Sequence, residues 1–121
     1  MAFSKIHESL VYAANAGENL SEKLHYLGKI DTDGDIILAT TGSVGFPIIE
    51  AAALNSSATI QFGGIGKAIA GASFNAGVDL AVDSAGKLTT AGSGVAVVGH
   101  SLKAADAGDV VAFIGATAPS P

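Results

Sequence analysis

Gln61 to Gly71 reads QFGGIGKAIAG, the composition of a loop that cradles phosphate. Such loops need glycines because backbone N–H groups must approach the anion closely and deliver it to the positive end of a helix. The spacing does not fit. Gly66-Lys67 would need a glycine at Gln61 and a Ser or Thr at Ala68 to hold magnesium, and Gly64-Ile65-Gly66 has Ile69 where a dinucleotide fingerprint requires its third glycine. The chain then continues into the alternation Val78, Leu80, Val82 rather than a helical pattern, so the stretch reads as a glycine-rich bend between strands.

DTDGD raises calcium chemistry, because Asp31, Asp33 and Asp35 repeat at the spacing that opens an EF-hand loop. The loop's glycine should come after the third acid but sits before it, at Gly34, and Gly42 holds the closing Glu position. The later DSAG keeps the Asp and the Gly while dropping the other acids, which assigns both stretches to turn chemistry. His7, His25 and His100 form no close ligand pair. Ser101 is next to His100, but GHSLK is not the Gly-x-Ser-x-Gly turn of a raised nucleophile, and Glu8, Glu18, Glu22 and Glu50 fall in no pattern for paired acid–base work. No enzymatic activity, cofactor or metal is expected.

The elements that carry these residues come in duplicate. Ala16 to Ala39 (AGENLSEKLHYLGKIDTDGDIILA) matches Ala70 to Ala91 (AGASFNAGVDLAVDSAGKLTTA): an Ala-Gly start, an alternating apolar run, an Asp with a Gly three residues later, and a second run. VGFPIIEAA then answers VGHSLKAA with a one-residue gap, and SATIQFGG answers DVVAFIG. Each module reads as strand, tight turn, strand, loop, strand, turn, strand, with a bulge expected at Gly99. The expected fold is all-β: a compact antiparallel β-barrel or β-sandwich of two tandem similar modules, with pseudo-twofold symmetry. The β domain spans 16–115, with repeats 16–64 and 70–115. Residues 1–15 form an N-terminal arm, in part at helical spacing, and 116–121 a flexible tail with two prolines.

Composition bounds the partners. The 121 residues suit one domain, 49% hydrophobic but only 6% aromatic, so the core is small-residue and gains from burial against copies or a larger partner. The net charge is −5 and all six basic residues are lysines scattered among acids, which disfavours nucleic acid. Without Cys there are no disulfides or zinc thiolates, and neither an export signal nor a membrane-length apolar run is visible, so a soluble protein is expected.

Over Ala16 to Gly115, the AG-x-x-L start, the GVDLAVDSAGKLTTA hairpin and the closing VVGHSLKAADAGDVV resemble the small capsid decoration, or cement, proteins of tailed bacteriophages. The resemblance implies a structural protein made in the host cytoplasm that binds the outer surface of an expanded head. There it would clamp major capsid protein subunits, often as a trimer, and it brings no catalytic residue. The arm residues Phe3, Ile6, Leu10 and Tyr12 are the expected contacts with a capsid subunit or a neighbouring copy. The alternative is a small glycan- or surface-binding β module displayed on a virion or larger assembly, for which only Tyr12 and Tyr26 offer tyrosine faces.

Overall fold

The computed structural model describes residues 11–115. Ten strands, and no helix among the described residues, form two antiparallel five-stranded sheets. The first contains β1 (Val11–Asn15), β2 (Leu27–Ile30), β3 (Ile36–Leu38), β4 (Phe46–Glu50) and β5 (Ser57–Gln61), in the order β1-β5-β4-β2-β3. The second contains β6 (Ile65–Ile69), β7 (Asp79–Val82), β8 (Leu88–Thr90), β9 (Gly99–Ser101) and β10 (Val110–Gly115), in the order β6-β10-β9-β7-β8. The orders are identical once five is subtracted from each label, so the repeat is a structural duplication. Neither sheet closes into a barrel. A single parallel bridge pins the end of β1 to the start of β3 at Ala16–Ile36, and its duplicate joins Ala70 to Leu88.

Each module has five strands rather than four, because Val11–Asn15 belongs to the first sheet. Along β1, Tyr12 and Ala14 turn toward the core while Val11, Ala13 and Asn15 face out, the period-2 alternation of a half-buried strand. The region expected to be an arm up to residue 15 therefore contributes its last five residues to the β body, paired with β5 from Val11–Gln61 to Asn15–Ser57. β2 is shorter than the apolar alternation implied: Leu24 lies outside it and is exposed. The β-bulge falls in the first module, between Ile48 and Glu50, rather than at Gly99.

The Asp-Gly turns form as the sequence requires. The Asp31 carboxylate accepts the backbone N–H groups of Asp33 and Asp35, and Asp83 accepts those of Ala85 and Lys87 in the same way. Gly34 and Gly86 complete the turns at φ 84° and 78°, a region that a Cβ disfavours.

Each sheet buries its inner face under its own long loop. In the first module Leu20 descends from the loop onto Ile36, Ile48 and Ile60; in the second, Phe74 takes the place of Leu20 above Leu80, Leu88 and Phe113. The register equates Ile48–Ile60 with Ser101–Phe113, and Phe46 with Gly99. Phe46 packs edge to face on Phe62, ring centroids 5.7 Å apart. In the second module two paired glycines, Gly99 and Gly115, leave that level open, and the Phe113 ring fills it. The same interior volume is thus filled from different rungs of the ladder.

The modules are joined by more than the Phe62–Gly64 linker. Leu27 and Ala39 are buried within the second module's core cluster. Three backbone hydrogen bonds cross the junction: Leu27 N–H to Gly86 O (2.8 Å), Ile69 N–H to His25 O (2.9 Å) and Gly42 N–H to Val82 O (3.2 Å).

Candidate functional surfaces

The glycine-rich stretch is three things in succession: the end of β5, a bend with Gly63 and Gly64 at positive φ, and β6. The Gln61 side chain donates to Gly63 O and Ile65 O, and Gly115 N–H donates to Gly64 O, so the bend is tied down by its own neighbours. Gly66 lies against Pro47 across the junction, where an added Cβ would come within 2.9 Å of the proline ring. These contacts make the stretch the connecting piece between two sheets.

His100 and Asp79 are directly opposite across β9 and β7, with Nδ1 2.7 Å from the carboxylate, and both are more than half exposed. Ser101, the neighbour in sequence, points the opposite way because successive strand residues alternate faces. It is buried, its hydroxyl donates to Asn75 O at 2.6 Å and accepts from Val78 N–H at 3.0 Å. The three side chains therefore cannot meet as nucleophile, base and orienting acid. His25 sits at the junction with φ 69°, where the second module has Gly77 at 76°, and its Nδ1 is buried with no hydrogen-bond partner. A shallow open depression of about 520 Å³ lies over the second module. Among its lining residues, the Asp109 carboxylate accepts the Asp106 N–H.

Of the residues expected to contact a partner, Phe3, Ile6 and Leu10 lie outside the described residues. Tyr12 is half-buried in β1, and its hydroxyl donates to Gly34 O at 2.8 Å, tying the strand to the first Asp-Gly turn. Tyr26 carries the ammonium groups of Lys23 and Lys87 over its ring, 4.6 and 5.5 Å from the centroid.

The most distinctive surface is one that no sequence motif marks. On the outer face of β6 and β10, Ile65, Ile69, Val110, Ala112 and Ile114 surround Lys67, with Ile65 64% and Val110 47% exposed. The corresponding positions on β1 and β5 are Val11, Ala13, Asn15, Ser57, Thr59 and Gln61, with a single large apolar side chain. The duplicate acts as an internal control: this sheet folds with that face largely polar. The open edge of β3 is treated differently, since Glu18 accepts the Leu38 N–H at 2.8 Å and blunts it.

No protein-family model matches the sequence, and no curated protein is similar to it in sequence. Among solved structures, the fold is similar to that of the head fiber gp8.5 N base in bacteriophage phi29. The TM-score is 0.66 at 16% identity, over 88% of this chain and 92% of that one.

Proposed function

We infer that this chain is a structural protein of a phage virion, bound to the outer surface of the head, where it stabilises the capsid shell. The observation that carries the reading is the similarity of fold, over 88% of this chain and 92% of that one, to the base of a phage head fiber. The chemistry agrees with a binding role: Ser101 points away from the exposed His–Asp pair, while the outer face of β6 and β10 exposes Ile65, Val110 and Ile114. The partner is the major capsid protein, and the chain acts as a homo-oligomer, with a trimer favoured. Among the described residues the tyrosines give the glycan-binding alternative little support, because Lys23 and Lys87 lie over the Tyr26 ring and Tyr12 is half-buried in β1.

The test is sedimentation of the purified protein with expanded phage heads, and then heating. Co-sedimentation at saturable stoichiometry, with heads that rupture at a higher temperature when the protein is present, is the expected result. Heads that withstand heat equally well without it would overturn the stabilising role, and a glycan array with strong hits would favour the alternative.

A further inference from the structure

The depression over the second module has a filled counterpart in the first. Backbone hydrogen bonds fix which residues correspond. Leu20 N–H to Ala52 O (2.8 Å) answers Phe74 N–H to Ala105 O (3.1 Å), His25 N–H to Ile48 O answers Gly77 N–H to Ser101 O, and Ser56 N–H to Ala53 O answers Asp109 N–H to Asp106 O. Val78 therefore stands where the first module has Tyr26, and the strand register puts Thr90 where it has Leu38. In the first module Tyr26 and Leu38 pack, with Ala51 and Ala52, against the core cluster that holds Leu20. In the second, the smaller Val78 and Thr90 leave about 520 Å³ open beside Phe74 and Ala105. One duplicate closes this place with its own phenol ring, and the other does not.

The rim differs as well. Asp106 and Asp109 stand in place of Ala53 and Ser56, and no lysine is among the lining residues. In the first module the ring itself lies under cations, with the Lys23 ammonium 4.6 Å and the Lys87 ammonium 5.5 Å from the Tyr26 centroid. A ring brought from outside onto Phe74 and Val78 would restore the packing that the first module makes for itself, and a cation beside it would meet the two carboxylates. Sites that hold small groups have volumes of about 300–1,000 Å³ and an apolar lining with a few polar groups, which is the description of this one.

We propose that the depression is a docking site for an aromatic side chain of a partner protein that carries a lysine or arginine next to it. Phe74, Val78 and Ala105 receive the ring, and Asp106 and Asp109 select the cation. This inference is independent of the virion reading, and its test contains no phage heads.

The probes are the blocked dipeptides acetyl-Lys-Tyr-amide and acetyl-Glu-Tyr-amide, titrated at low salt into the isotope-labelled full chain and followed by the NMR shifts of its backbone amides. The lysine peptide should give saturable shifts confined to the amides around Phe74, Val78 and Ala105, with a Kd on the order of millimolar. The glutamate peptide should bind about threefold more weakly or worse, the size of effect that exposed charge pairs exert. Val78→Tyr fills the site from within, as Tyr26 does in the first module, and should abolish the saturable shifts in a folded protein. Thr90→Leu, which copies Leu38, should weaken binding too and keeps the test in force if the tyrosine variant does not fold. Shifts that do not saturate or that cluster elsewhere, equal affinity for the two peptides, or wild-type binding by either folded variant would overturn the proposal.

Discussion

Replacing Gly99 by alanine probes the alternative filling of the second module's core. An added Cβ would lie 2.3 Å from the Ile114 carbonyl oxygen and 2.6 Å from the Phe113 ring. The oxygen is backbone, in the strand paired with β9, and cannot turn aside. The ring is 1% exposed and has no free space to enter. Relief requires β9 and β10 to separate locally, which adds weakened ladder bonding to an overpacking cost of about 1–3 kcal/mol. We expect a loss of about 3 kcal/mol, read as a lower urea midpoint with an unchanged slope and a melting temperature lower by about 10 °C. Phe113→Leu in the same background should recover only part of it, since the clash with the Ile114 oxygen remains. The control is Gly92→Ala, where a Cβ meets nothing within 4 Å and stability should stay within about 0.5 kcal/mol of wild type. If Gly99→Ala unfolds at the wild-type midpoint, or Gly92→Ala loses as much, the packing argument is wrong.

Asp31→Ala and Asp83→Ala each release two backbone N–H groups and should lower stability by about 1–2 kcal/mol in urea titrations, whereas Asp33→Ala should be nearly silent with or without excess calcium. A calcium-dependent rise in melting temperature abolished by Asp33→Ala would contradict the turn assignment. His25→Gly removes a left-handed backbone strain of about 1–2 kcal/mol and an unpaired buried nitrogen, offset by about 0.5–1 kcal/mol of unfolded-state entropy. A net gain of about 1 kcal/mol is expected in calorimetry, and a clear loss would show that the imidazole has a packing role worth more than its strain.

The duplication, the all-β class and the Asp-Gly turns are legible in the sequence because they rest on local chemistry: an Asx turn needs only its own five residues. The start of the first module is not. VYAANAG and IGKAIAG, Val11–Gly17 and Ile65–Gly71, hold equivalent strands, but they share only Ala14/Ala68 and the final Ala-Gly. The alanines of the first make a weak strand signal, and the glycines of the second resemble a loop. Extending the repeat five residues upstream of each Ala-Gly brings both into view. The one-residue gap read within VGFPIIEAA and VGHSLKAA is not there: the register makes Phe46 equivalent to Gly99 and Ile48 to Ser101, so Val44–Ala52 matches Val97–Ala105 without a gap, and the second module instead carries one extra residue between β8 and β9. The apolar outer face of β6 and β10 is hidden in the sequence because the pair Ile65 and Ile69 is far from the pair Val110 and Ile114, and each residue reads singly as core. Only strand pairing shows that they share the side facing away from Phe113. His25 falls within an apparent alternating strand, and nothing local announces that it occupies a glycine's backbone conformation.

The corner where Val11, Gly63 and Gly115 converge bears on how such a chain could have arisen. Gly115 N–H bonds to Gly64 O, and Val11 pairs with Gln61, so the beginning, the middle and the end of the described chain meet at one point. A protein laid out in this way is nearly indifferent to the order of its halves. Joining the ends there and cutting at the central bend would exchange the first and second modules without breaking a sheet. A single ancestral five-strand unit could therefore have been doubled at no topological cost. Once doubled, one copy was free to keep a polar face while the other became apolar.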